Sequence, residues 1–317
     1  MTAEVSGDDL AKLSGSIIQA GSKSFAAAAK LFDPETRKSA YLLYAWCRHC
    51  DDIIDNQSLG YRDNQKIGND PAVELIKLRE MTKSAMSGEI INDPMFVALQ
   101  NVTAKHSVPS TYPLALIDGF EMDVTSRVYQ NLNDTLLYCY HVAGVVGIMM
   151  AIVMGRRDSE TLDRANDLGL AFQLTNIARD VIEDAQNGRV YLPADWLEAE
   201  GIAAKPNAVA DVKNRNDVAK VVRRLLIEAD KYYCSSLAGL PKLGFRSAWA
   251  IGTALKVYKA IGAEVIRQGP RAWDQRVSTS KAEKILAIMY GFRQAVFAKA
   301  FGGFNEYPTR DNLWNRP

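Results

Sequence analysis

Twenty consecutive residues, LLYCYHVAGVVGIMMAIVMG from Leu136 to Gly155, carry no formal charge at neutral pH. A helix of that length and composition either spans a bilayer or is enclosed on all sides by other elements. Three glycines and His141 within the run, and no basic cluster on either flank, favour a central helix packed by its neighbours. The rest of the chain must then supply a shell around it, and helical periodicity recurs almost throughout, with no convincing period-two run bounded by hairpin signals. The class expected is all-α. Helices are predicted near 9–20, 34–55, 71–87, 95–105, 109–128, 132–155, 159–187, 193–200, 217–239, 247–269 and 280–302, several of them opening on a proline or an Asp or Ser cap.

Two polar stretches, NQSLGYRDNQKIGNDP from Asn56 and GIAAKPNAVADVKNRN from Gly201, read as loops over one body. The tail GGFNEYPTRDNLWNRP reads as irregular and mobile. With no repeat and no low-complexity linker, residues 1–317 are read as a single domain. Lys+Arg 38 against Asp+Glu 37 gives a net charge of +1, so no global field draws in nucleic acid or an acidic membrane, and any anion site is local. Four scattered cysteines make no disulfide framework, and the N-terminal residues lack a signal-peptide pattern, so a cytoplasmic location is expected.

The stretch CRHCDDIID, Cys47 to Asp55, concentrates possible ligands. At about 100° per residue, Tyr41, Tyr44, Arg48, Asp51, Asp52 and Asp55 share one helix face, while Leu42, Leu43, Trp46, Cys47, Cys50, Ile53 and Ile54 share the other. The thiols are therefore expected in the core, and no second CxxC or HxxxH completes a zinc site. Asp51 and Asp55 are one turn apart, about 5–6 Å between Cβ atoms, which suits a hard cation such as Mg²⁺. Taken alone, one such pair reads as a solvated acidic face near a helix end.

A second polar stripe, Gln173, Asn176, Asp180, Asp184 and Asn187, runs along a helix that is otherwise apolar, with Arg179 and Arg189 beside it. Surface faces are usually built from Lys and Glu, whereas short acceptors near fixed donors suit ion and diphosphate binding. Two DxxxD pairs on two helices are able to face each other across a cavity.

These residues carry a family resemblance. YCYHVAGVVGIMMAIV from Tyr138 and LG...Q..NIARDVIED....RVYLP from Leu168 resemble the two signature regions of the squalene and phytoene synthases. GSKSF at Gly21 and YAWCRHCDDIID at Tyr44 resemble their substrate segment and first aspartate motif, and the likeness runs from about Ile17 to Ile288. It implies an isoprenoid synthase fold with a central cavity lined by two aspartate-rich helices. It implies Mg²⁺ (or Mn²⁺) held by Asp51, Asp55, Asn176, Asp180 and Asp184, and contacts to substrate or diphosphate from Ser22, Lys23, Arg48, Gln173, Arg179, Tyr258 and Arg276. Tyr138 would sit near the reacting carbons, and the catalytic set would be Tyr138, Asp51, Asp55, Asp180 and Asp184.

The chemistry implied joins two allylic diphosphates head to head through a cyclopropylcarbinyl diphosphate that ionises again. Each ionisation needs stabilised diphosphate and a dry, apolar cavity, where Phe25, Tyr41, Tyr44 and Phe172 could face a cation. The reading expected is phytoene formation from two geranylgeranyl diphosphates, with no nicotinamide cofactor and with peripheral contact to the inner face of the cell membrane. Dehydrosqualene or squalene formation from farnesyl diphosphate is the alternative, and a non-catalytic helical scaffold a distant one. Two departures from the family pattern stand out: Gly21 at a position aligned with a frequent histidine, and a segment IRQGPRAWDQRVSTSKAEK without the acidic-tyrosine pair before Arg276.

Overall fold

A computed structural model describes residues 7–55, 57–58, 61–62, 70–301 and 307–317. Its helices are α1 (Gly7–Gly21), α2 (Lys23–Ala29), α3 (Pro34–Ile54), α4 (Pro71–Ser87), α5 (Pro94–His106), α6 (Thr111–Val124), α7 (Leu132–Cys139), α8 (Val145–Val153), α9 (Ser159–Gln186), α10 (Ala194–Ala199), α11 (Pro206–Ala210), α12 (Arg215–Ser236), α13 (Phe245–Gln268) and α14 (Lys281–Phe301). The only strand pairing among the described residues is an antiparallel ladder of Gln57–Ser58 with Tyr61–Arg62, so the chain is all-α.

The caps follow from the sequence. Asp33, Asp70 and Asp93 each accept a first-turn N–H just before a proline at the start of α3, α4 and α5, and Asn131 and Asp158 accept first-turn N–H groups of α7 and α9, which open without a proline. One hydrophobic cluster takes in residues of every helix from α3 to α14. At its centre lies α9, 28 residues and about 42 Å long, against α8, α12 and α13.

The uncharged segment is not one continuous α-helix. A π-helical turn over Tyr140–Gly144 separates α7 from α8. This is the one described helical stretch apolar enough to cross a membrane, and 61% of its most apolar window is buried. The crossing with α9 is backbone on backbone: a Cβ on Gly147 would lie 2.4 Å from the Ala165 carbonyl oxygen, and one on Gly169 would lie 2.4 Å from that of Ala143. These glycines are what let two helices touch at the site's back wall.

Other expectations need correction. α2 and α11 lie where no helix was predicted, because each is shorter than two turns and leaves little periodic signal. Most of the stretch from Asn56 lies outside the described residues. The tail is irregular but not free over residues 307–317. Arg310 donates two hydrogen bonds of 2.8 Å to Asp167, Arg316 pairs with Asp163 at 2.6 Å, and the Trp314 amide donates to the Tyr232 hydroxyl.

Candidate active site

The two aspartate motifs face one polar cavity of about 530 Å³. Asp51 and Asp55 come to it from α3, and Gln173, Asn176, Arg179, Asp180, Glu183 and Asp184 from α9. Asn187 and Arg189 follow α9, Tyr138 comes from α7, and Arg276 reaches in from the segment before α14. The sequence-level stripe on each helix thus becomes one wall of a shared space.

Cations thread between the carboxylates. Arg48 donates to Asp51 at 2.7 Å and lies 3.7 Å from Asp52. Arg189 donates to Asp55 at 2.5 Å, tying the end of α9 to the end of α3. Asp180 accepts from Arg179 (2.8 and 2.5 Å) and from Arg276 (3.2 and 2.9 Å). These guanidinium groups outweigh desolvation and hold the Asp180 carboxyl below its ordinary value. Asp184 has no cation within ion-pair distance among the described residues, and burial together with Asp180 pushes its carboxyl well up. Asp51 is also raised, by burial and by Asp55 and Asp52, against the pull of Arg48.

Asn176 Oδ1, buried at the border of this cavity, has no hydrogen-bond partner among the described residues. Buried polar atoms are nearly always paired, so an orphan beside two carboxylate pairs marks a place that a ligand would satisfy. No three His, Cys, Asp or Glu side chains converge on one point among the described residues. The donors that are present, paired carboxylates and an amide oxygen, are of the kind a hard cation such as Mg²⁺ takes when phosphate and water complete its shell.

Next to the polar cavity lies an apolar one of about 300 Å³, walled by Phe25, Leu43, Val146, Met150, Leu168 and Phe172 among others. The two meet at Tyr44, Cys47, Val142, Gln173 and Asn176, which line both. Cys47 is thus at the junction rather than in the core, while Cys50 is buried as expected. The thiol is pushed up to about 12 by burial and by Asp51, so it is an inert wall.

Several predicted contacts fall elsewhere. Ser22 does not line either cavity; its hydroxyl accepts from the Phe25 amide as the cap of α2. Lys23 is exposed and outside both linings, because α2 turns Phe25, Ala28 and Ala29 inward instead. Tyr258 stands one ring behind the wall, stacked on Phe172 with centroids 4.2 Å apart. Tyr41 lines neither cavity. A Cβ on Gly21 would sit 2.7 Å from the Tyr44 hydroxyl, so the missing side chain there leaves room for that hydroxyl.

Asp123 escaped sequence reasoning. Asp123, on α6, accepts from the Tyr138 hydroxyl at 3.1 Å and from the Tyr191 hydroxyl at 2.7 Å. Tyr138 and Tyr191 are stacked at 4.6 Å, with Tyr129 against both. Burial pushes the Asp123 carboxyl up to about 6, opposed by Arg189 and by the Tyr191 bond. The Asp123 bond anchors the ring of Tyr138 at the wall of the polar cavity.

Comparison with known proteins bears on this arrangement. A family model described as squalene/phytoene synthase matches residues 18–283. The chain is 50% identical to the 15-cis-phytoene synthase of Pantoea ananas over 298 residues, 94% of each chain. It is 47% identical to the 15-cis-phytoene synthase of Paracoccus sp. (strain N81106 / MBIC 01143) over 309 residues, 98% of each. A crystal structure of a dehydrosqualene synthase in complex with ligand superposes with a TM-score of 0.79 at 27% identity, covering 90% of this chain and 96% of that one. Sequence and fold agree that this chain belongs to the squalene/phytoene synthase family.

Proposed function

We propose that the chain is a phytoene synthase, a prenyltransferase of carotenoid biosynthesis that joins two geranylgeranyl diphosphates head to head and releases diphosphate. The observation that carries this reading is the junction of a charged cavity with an apolar one at Tyr44, Cys47, Val142, Gln173 and Asn176, a shape matched to a substrate with an anionic head and a hydrocarbon tail. The phytoene synthases named above support geranylgeranyl over farnesyl diphosphate, being 47–50% identical where the dehydrosqualene synthase is 27% identical. The hydrophobic cluster running from α3 to α14 supports one domain over 1–317.

Asp51, Asp55, Asn176, Asp180 and Asp184 would hold Mg²⁺ (or Mn²⁺), an assignment supported by the orphaned Asn176 oxygen and by an Asp184 carboxyl without an ion-pair partner among the described residues. Bound there, the ion supplies Lewis-acid stabilisation of the departing diphosphate. Arg48, Arg179, Arg189 and Arg276 bind diphosphate oxygens, each exchanging part of its carboxylate pairing for the ligand. The apolar wall excludes water from the carbocation, with Phe25, Tyr44 and Phe172 presenting aromatic faces to it. Tyr138, its O–H donated to Asp123, keeps its oxygen lone pairs available beside the reacting carbons. The final cation is discharged by proton loss, so no hydride donor is required. Substrate and product are lipids, so the enzyme works against the bilayer surface from the cytoplasm.

Thermal unfolding tests the assignment against a non-catalytic scaffold. Mg²⁺ and inorganic diphosphate together are expected to raise the midpoint by several degrees where neither does alone, in line with about 2.7 kcal/mol for a ligand at a hundred times its Kd. No joint stabilisation would point to the scaffold.

A further inference from the structure

Helix α14 is built inside out. The residues it turns toward α13 are small: Ala287, Gly291, Ala295 and Ala298 are buried. The contact is so close that a Cβ on Gly291 would lie 2.6 Å from the Thr253 amide nitrogen. Its large apolar residues lie on the solvent side instead, with the Phe292 ring resting edge-on against Phe245 and Trp249 of α13. Ile285 and Leu286 are each 60% exposed and Met289 63%, and Phe292, Val296 and Phe297 are exposed as well. At 100° per residue these six fall within an arc of roughly 140°. Scattered surface leucines need no explanation, but a stripe running most of the length of a 21-residue helix does.

Charge decides what covers it. The exposed cations Lys281 and Lys299 border the stripe near either end, Arg293 lies within it, and Lys256 of α13 reaches over Tyr290 beside it. Glu283 is the single acid on the helix, in a chain whose overall charge is only +1. A second copy docked by a two-fold axis would bring these cations face to face, which opposes association. An anionic lipid surface complements them, with the apolar residues entering the acyl boundary. The helix is also one layer from the substrate space: Ala250, Ile251 and Ala254 of α13 line the apolar cavity, while Trp249 of α13 donates to the Ile288 carbonyl of α14.

We infer that the outer face of α14 is the surface by which the enzyme docks on anionic bilayers, lying in the interface plane and not crossing it. This deepens the membrane contact proposed above and rests on that reading for its occupant. The test is flotation of the purified full chain with vesicles of 3:1 phosphatidylcholine to phosphatidylglycerol, and with phosphatidylcholine alone. Two variants accompany it, Leu286→Ser/Met289→Ser/Phe297→Ser and Lys281→Glu/Lys299→Glu. All the changed side chains are exposed, and the bond lost from Lys299 to the Pro241 carbonyl is itself exposed, so folding is expected to survive, and turnover with detergent-dispersed geranylgeranyl diphosphate is measured in parallel.

The wild type is expected to float with the anionic vesicles at least tenfold better than with neutral ones. Each variant should lose that binding at least tenfold while keeping turnover within about twofold of wild type. Flotation unchanged in both variants, or no wild-type flotation, would overturn the inference while leaving the synthase reading intact if turnover persists. A lipid-free dimer in sedimentation that the triple variant converts to monomer would overturn it in favour of a second copy. Loss of turnover in the wild type itself would instead count against the synthase reading.

Discussion

Helix α9 carries the same aspartate spacing twice, and the two pairs do opposite things. Asp163 and Asp167, in its first half, are closed over by the C-terminal segment: Asp167 is fully buried and held bidentately by Arg310, and Arg316 holds Asp163. Asp180 and Asp184, in its second half, open onto the polar cavity, with Asp180 doubly held by arginines and Asp184 by none among the described residues. Spacing puts two carboxylates on one face in both cases. What separates the two settings is that the tail closes over the first pair, while the second borders an open cavity.

The largest expected effect breaks the comparison at its functional end. Asp180→Ala, or Asp51→Ala across the cavity, should lower turnover at saturating Mg²⁺ by roughly a thousandfold, about 4 kcal/mol of transition-state stabilisation, while the unfolding midpoint stays within a few degrees of wild type. Near-normal turnover in either variant would remove these residues from the metal set. The opposite pattern is expected at the structural end. Asp167→Ala leaves Arg310 facing a buried hole and should cost about 3 kcal/mol of stability, with turnover of the folded fraction little changed when denaturation and kinetics are compared. A turnover loss there matching that of Asp180→Ala would erase the distinction.

The first of these pairs shows what the sequence could not tell. Asp163 and Asp167 have the spacing of a site, and only the tail's Arg310 and Arg316, about 150 positions along the chain, reveal them as a clamp. The tail looked free because its Gly, Asn and Pro content signals irregular backbone, which says nothing about the ion pairs that pin it. The second pair was legible because amides and arginines share its stripe and because the flanking residues resemble a known motif. Asp123 was not: FEMDVTSRV offers no second carboxylate at helical spacing for it, and the packing of α6 against the π-helical turn and α8 brings it to Tyr138 and Tyr191. Helices longer than about three turns were legible from period and caps, while α2 and α11, although Ser22 caps one and Pro206 opens the other, were too short to show a period.

A smaller effect sharpens the contrast between paired and unpaired carboxylates. Asp123 has no ion-pair partner among the described residues, and burial, opposed by the Arg189 charge, sets its folded-state value at about 6, above the ordinary 3.8. The stability it contributes is therefore fully present below about pH 3.8 and lost as the pH rises through about 6. Asp123→Asn removes that loss. In metal-free protein it should be more stable than wild type at pH 7 by up to on the order of 2 kcal/mol, with the gap closing toward pH 4. Denaturant titrations at the two pH values check this, and a gap that widens on acidification would show that the carboxylate is favoured by its surroundings instead.

The central claim is that the joined cavities ionise a prenyl diphosphate twice and discharge the final cation without a reductant. It is tested most directly by incubating the purified protein with Mg²⁺ and geranylgeranyl diphosphate, or with farnesyl diphosphate, each with and without NADPH. The extracted hydrocarbon is then identified by chromatography with mass detection. Phytoene from geranylgeranyl diphosphate, with neither rate nor product altered by NADPH, is the result expected. A reduced hydrocarbon formed only with NADPH, or efficient turnover confined to farnesyl diphosphate, would contradict it.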